Sequence, residues 1–264
     1  MGPEVGLWVL DCVILPLIFL VLITRYRELR LPYFLYLLLF VIGFLMFPLL
    51  IPRKHVEMRL AQWVPSFWFL LGVVQMHNNI YEELGKLLAL LIPLWVFKDY
   101  LKPLFLKPRS AILMGFWTGL GYGIGEAVTL TVIAYKPEIG KVAGVSLMWL
   151  FITWNWVLER ALAILIHGVM GGFVGLSLYF ILVRKYWRAL GFFIIALFFH
   201  ELVDGTVLFV LYHGANPIAQ IIKNNLLCVV LPLYVLLGLV ALLVTFLLKK
   251  NSDALSISGR MTEE

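Results

Sequence analysis

The chain has 264 residues, 62% of them hydrophobic and only 14% charged, with a mean hydropathy of +0.98. A soluble domain of this length cannot hide so much apolar surface, because apolar usage there runs nearer half; a bilayer can. The formal charge of +6 does not point to nucleic acid, since the basic residues fall in short clusters between long apolar runs, where they anchor to headgroups and set topology.

A crossing needs roughly 20 apolar residues. On that measure the chain is expected to be an all-α, polytopic integral membrane protein of about eight transmembrane helices, at 6–24, 32–51, 60–76, 79–97, 111–134, 160–183, 189–212 and 224–248. The first run, Gly6 to Thr24, lacks a basic start and a small-residue cleavage site, so it reads as a span rather than a signal peptide. The stretch 142–158 is apolar and rich in tryptophan, which favours the headgroup level, and is expected to be interfacial or re-entrant. Residues 1–250 thus form one transmembrane domain, and 251–264 a polar tail expected to lack regular structure. Cys12 and Cys228 both lie inside apolar runs, which excludes a disulfide framework and a cysteine zinc site.

Basic residues orient the spans. With both termini cytoplasmic in a cell membrane, Arg53-Lys54, Lys98 to Arg109, Arg184-Lys185 with Arg188, and Lys249-Lys250 all fall inside. The cluster Arg25, Arg27 and Arg30 opposes this arrangement and is outvoted.

The informative residues are the polar ones inside the apolar runs. Glu82, Glu83, Lys86, Glu126, His167, His200, Glu201 and Asp204 lie within or at the ends of spans, where each charge costs on the order of 2.5–3.5 kcal/mol at mid-membrane. They must be paired, neutral or turned to a wet cavity. At about 1.5 Å per residue, Glu82 lies about 5 Å below the outer end of its helix, His167 about 10 Å, Glu126 and Asp204 about 12 Å and His200 about 18 Å. Four helices therefore place ionisable groups in the outer half of the bilayer, around a catalytic core of about 79–212. Glycines at four-residue spacing, Gly115, Gly119 and Gly123, then Gly168, Gly171, Gly172 and Gly175, allow close helix packing beside these groups.

Each group has a structural reading beside the functional one. Glu82 and Lys86 share a face at i,i+4 and can pair, while a carboxylate at a helix start is favoured by the dipole alone. Glu126 among its glycines and His167 could each be an interhelical hydrogen bond. His200 and Asp204, one turn apart, suit a His–carboxylate bond or two ligands of one metal, although Asp204 stands where an HExxH zinc helix needs its second His. Peptide hydrolysis needs an activated water, a base and donors for the oxyanion. Glu82 or Glu83 can be the base. Possibilities for a zinc are His167 and His200 with Glu126 or Asp204, leaving a fourth position open; without metal, the same residues can act by hydrogen bonding. An inactive membrane scaffold and a proton- or cation-coupled transporter are the alternative functions.

The motif order, Glu82-Glu83 with Lys86, then Tyr122 with Glu126, then His167, then His200 with Asp204, resembles the PrsW-type intramembrane proteases of the CAAX-prenyl endopeptidase superfamily. The resemblance covers roughly half the chain. It implies an all-α membrane fold and endopeptidase activity on a membrane-tethered protein or peptide, with Glu82, Glu83, Glu126, His167, His200 and Asp204 catalytic and Lys86 and Tyr122 supporting. Tyr122 stands where the family usually has Phe.

Overall fold

The computed structural model describes residues 14, 17–18, 21, 32–64, 66–135 and 154–260, and every described element is helical. In chain order these are α1 (Tyr33–Leu50), α2 (Arg53–Trp63), α3 (Met76–Val96), α4 (Lys98–Phe105), α5 (Pro108–Tyr135), α6 (Trp154–Leu182), α7 (Tyr186–Tyr212), α8 (Pro217–Asn225) and α9 (Leu231–Arg260). A short turn, Phe67–Phe69, and a π-helical segment, Leu70–Gln75, lead into α3 without a break; a second π-helical segment, Leu226–Val230, joins α8 to α9.

Four described stretches are long and apolar enough to cross a membrane: Tyr33–Leu50, Val157–Leu182, Tyr186–Tyr212 and Pro217–Leu248. The window in α6 is 78% buried against 22–33% for the other three, so α6 is the central helix. Of the expected spans, 6–24 and most of the tryptophan-rich stretch lie outside the described residues. The expected boundary between 60–76 and 79–97 is corrected. Helix runs continuously from Phe67 to Val96, because His77, Asn78 and Asn79 are not a polar turn and the two asparagines are buried in hydrogen bonds. Ser66 starts this helix, its Oγ accepting from the Phe69 N–H at 3.2 Å. Glu82 consequently lies about 22 Å from the Phe67 end, not 5 Å, which brings it level with His200 at about 18 Å from the end of α7. The tail expectation is also corrected: α9 is helical through Arg260, no glycine or proline interrupting it between Gly238 and Gly259.

Two glycine stripes on α5 set the packing. A methyl at Gly115 or Gly119 would meet the carbonyl oxygen of Gly171 or His167 at 2.1 Å, so one face lies backbone-to-backbone on α6. On the opposite face, Gly121 and Gly125 lie as closely on Phe40 and Phe44 of α1. The matched residue orders make α5 antiparallel to α6 and parallel to α1. Such contacts draw on dispersion and Cα–H···O interactions that larger side chains forbid. The α6–α7 turn closes as a Schellman motif: Lys185 N–H bonds the Phe180 carbonyl at 2.8 Å and Arg184 N–H that of Ile181 at 3.0 Å, with Arg184 in the left-handed region (φ 59°).

Candidate functional site

The register of these helices brings the ionisable residues singled out in the apolar runs together near the middle of the bundle. α3 presents Glu82, Glu83 and Lys86 from its middle, all buried. α5 supplies Tyr122 and Glu126, α6 His167, and α7 His200 and Asp204. The two imidazoles meet edge to face, 5.3 Å between centroids.

His200 is held on both sides. Its Nδ1 lies 2.8 Å from Glu83 Oε1, while Nε2 faces Glu82 Oε2 at 3.6 Å and Asp204 Oδ2 at 3.4 Å. A carboxylate accepting from Nδ1–H fixes the tautomer that leaves the Nε2 lone pair toward Glu82. His167 Nε2 lies 2.7 Å from Glu126 Oε2, and its buried Nδ1 has no hydrogen-bond partner among the described residues. Tyr122 packs its ring 5.4 Å from that of His167 and 5.0 Å beneath the Lys86 ammonium, in cation–π contact.

The expected pairing of Lys86 with Glu82 is corrected. Lys86 bonds Glu83, three residues back, and Glu82 is taken instead by Arg53 of α2. Arg53 is itself locked: it donates to the Leu50 carbonyl at 3.1 Å, to Asn78 Oδ1 at 3.1 Å, and lies over the Phe47 ring. Glu126 has a cation as well, Arg160 Nη1 at 3.3 Å. The sequence reading takes Arg53 only as an orientation charge and does not single out Arg160; the one available signal is that both lie beside long apolar segments. A polar chain extends from the cluster: Gln75 Nε2 bonds Asp204 Oδ2 at 2.7 Å and Asn79 Oδ1 at 3.0 Å, and Asn79 Nδ2 bonds Glu201 at 2.8 Å.

The metal-ligand geometry differs from the sets drawn from the sequence. Glu82, His167 and His200 each offer one ligand atom, all within 4.8 Å of one another. Among the described residues no such group includes Glu126 or Asp204; Glu126 is engaged by His167 and Arg160, and Asp204 by Gln75. One carboxylate and two imidazoles, the imidazoles backed by Glu83 and Glu126, match the donor types of a catalytic zinc with an open position, and the unpartnered His167 Nδ1 fits that reading. No protein-family model, curated protein or solved structure matches the chain.

Proposed function

We propose that the chain is an intramembrane endopeptidase that hydrolyses a membrane-tethered protein or peptide, as its resemblance to the PrsW-type proteases implies. The observation that carries this is the placement of His200 between Glu82 and Glu83 inside the bundle, with His167 beside it. Glu82 is the better base of the two glutamates: it faces both imidazoles, whereas Glu83 is closed off between Lys86 and His200. A water between Glu82 and the histidines gives its proton to Glu82 and attacks the scissile carbonyl, and Glu82 passes that proton to the leaving amine as the C–N bond breaks. The Arg53 guanidinium supplies donors and positive charge on the side where the oxyanion develops, while His200, its Nδ1–H held by Glu83, turns its Nε2 lone pair to the water. Glu126 holds His167, charge-balanced by Arg160, so its role is orientation. Zinc bound by Glu82, His167 and His200 would supply Lewis-acid polarisation of the water or the carbonyl, and Glu82 would then serve as a ligand in place of the base.

Topology follows from the same packing. Trp68 and Trp95 are 77% and 83% exposed at the two ends of the 67–96 helix, about 40 Å apart along it. That is the bilayer thickness with headgroups, and exposed tryptophan favours both interfaces. We therefore count 67–96 as one crossing, which gives seven rather than eight: 6–24, α1, 67–96, α5, α6, α7 and the 217–248 stretch. Arg25, Arg27 and Arg30 then join Lys98, Lys102, Lys185 and Lys249 on the cytoplasmic side, while Arg53, Lys54 and Arg59 fall outside in their place. Glu82 then lies near mid-membrane, about 21 Å from Trp68 and about 20 Å from Trp95 along the helix, and the C-terminus is cytoplasmic, while the segment before the first span falls outside.

The test is cleavage of membrane-anchored reporters by the purified chain in proteoliposomes. Glu82→Gln and His200→Ala should abolish cleavage with insertion intact. Bound zinc near one per chain, lost in His167→Ala, would assign the metal-dependent form; full activity after exhaustive chelation would assign the metal-free one. Cleavage that survives Glu82→Gln together with Glu83→Gln overturns the proposal.

A further inference from the structure

Tyr122 brings to the site a hydroxyl that takes no part in its resting hydrogen-bond network. The side chain is buried, 0% exposed, and its oxygen has no hydrogen-bond partner among the described residues. A buried polar group in that state costs roughly 1–3 kcal/mol, and its retention in a folded protein calls for a reason. Packing does not supply one. The ring meets Phe47 edge to face at 5.6 Å and His167 at 5.4 Å, with the Lys86 ammonium 5.0 Å from its centroid. Phenylalanine would make the same ring contacts without a stranded oxygen, and it is the residue usual at this place in the proteases that the chain resembles. The hydroxyl is therefore particular to this chain.

Position tells which step it serves. The oxygen-bearing end of the ring lies against α3: a methyl built on Gly85 would stand 3.4 Å from Tyr122 Cε2, a carbon next to the one that carries the oxygen. Gly85 follows Glu82 by about one helical turn. The charged groups that act on the hydroxyl are Glu82 first and Arg53 second, ahead of Glu126 and Glu83. Phe47 ties it to Arg53 as well, since the guanidinium lies 5.3 Å over the same ring that packs on Tyr122. The oxygen thus sits on the Arg53 side of Glu82, where negative charge builds as water adds to the carbonyl.

A phenol can accept or donate. Acceptors are plentiful here, and the cationic donors Arg53, Lys86 and Arg160 are each engaged by a carboxylate. The Tyr122 O–H is a donor held in place with nothing to release, which is what stabilising charge that appears only in the transition state requires.

We propose that the Tyr122 hydroxyl is a catalytic donor that, together with Arg53, hydrogen-bonds the oxyanion of the tetrahedral intermediate. This rests on the peptidase reading and adds a residue to the same site. Tyr122 keeps its proton throughout. The water oxygen bonds the carbonyl carbon and the carbonyl electron pair moves to its oxygen; that oxygen accepts from Tyr122 until the pair returns and the C–N bond breaks.

The test compares the wild-type chain with Tyr122→Phe in proteoliposomes, on a membrane-anchored reporter. The substitution removes one atom, and kcat should fall about 100-fold, the order that one oxyanion donor supplies, with KM unchanged. The melting temperature should stay level or rise, because the atom removed is unpaired. A phosphinate analogue of the reporter, tetrahedral and anionic at the reacting position, should bind Tyr122→Phe about 100-fold more weakly than wild type. Para-aminophenylalanine at position 122 returns an N–H donor and should recover about tenfold in kcat. An unchanged kcat overturns the proposal. So does a kcat loss with a lower melting temperature and undiminished phosphinate binding, which marks a structural role, and so does a raised KM at unchanged kcat, which marks a group that holds substrate. Full cleavage by Tyr122→Phe overturns this assignment alone and leaves the peptidase reading standing. A wild-type chain that neither cleaves the reporter nor binds the phosphinate overturns both.

Discussion

Three carboxylates of the site each meet a cation: Glu82 meets Arg53, Glu83 meets Lys86, and Glu126 meets Arg160. Pairing of this kind makes charge tolerable in a medium that cannot solvate it, and removing one member leaves the other stranded. Lys86→Ala should therefore destabilise the protein by about 3–5 kcal/mol, while Lys86→Met combined with Glu83→Gln should recover most of that loss; thermal unfolding in detergent reads both. Recovery of stability without recovery of cleavage is the expected signature of Glu83 acting on His200. Arg53 is the second residue-scale case. Arg53→Ala should lower kcat about 10- to 100-fold, the value of a charge-assisted hydrogen bond of roughly 1.5–3 kcal/mol, with Arg53→Lys restoring part of it and membrane content unchanged. The acids and histidines of the site were legible in the sequence because each interrupts an apolar run. Their partners were not: Arg53 sits in a polar helix and Arg160 at the edge of a span, where a cation is ordinary, and nothing in one-dimensional spacing links position 53 to position 82.

At the scale of elements, glycine spacing foretold close helix packing but not its two-sidedness. Gly119 and Gly121 are two residues apart, so their open sides lie about 200° apart around the helix, and α5 is gripped between α6 and α1 at once. Gly119→Ala places a methyl 2.1 Å from the His167 carbonyl oxygen, and backbone cannot yield as a side chain can. It should cost about 1–3 kcal/mol as overpacking and reduce cleavage, because the helix displaced is the one that carries His167. Gly191→Ala, with open space around the added methyl, should be neutral or slightly stabilising; equal melting losses in the two variants would show that steric contact is not the cause. The misplaced boundary at 77–78 is the complementary lesson. Hydropathy reads His77-Asn78-Asn79 as a gap between spans, since it registers polarity and not partners. In the folded chain Asn78 accepts from Arg53 and Asn79 donates to Glu201, so the polar triplet belongs inside one helix.

For the whole molecule, the proposed seven-crossing topology rests on that single correction. α1 and α5 run parallel, as the pairing of Phe40 with Gly121 and of Phe44 with Gly125 requires. Between them the chain must return once, and 67–96 is the element that does so. The turn at 51–66, with α2 and Arg59, then lies on the outer side, and 97–107, with Lys98, Lys102 and Lys107, on the other. In a background free of Cys12 and Cys228, Arg59→Cys should react with a membrane-impermeant maleimide from outside intact cells. Lys102→Cys and Lys185→Cys should react only after permeabilisation, and Arg27→Cys should behave like these two. The exposed tryptophans fit the same division, Trp63 and Trp68 on one side and Trp95 and Trp187 on the other. Labelling of Arg59→Cys and Lys102→Cys from the same side would show that 67–96 does not cross once. It would restore the eight-span count and move Glu82 out of the depth it shares with His200.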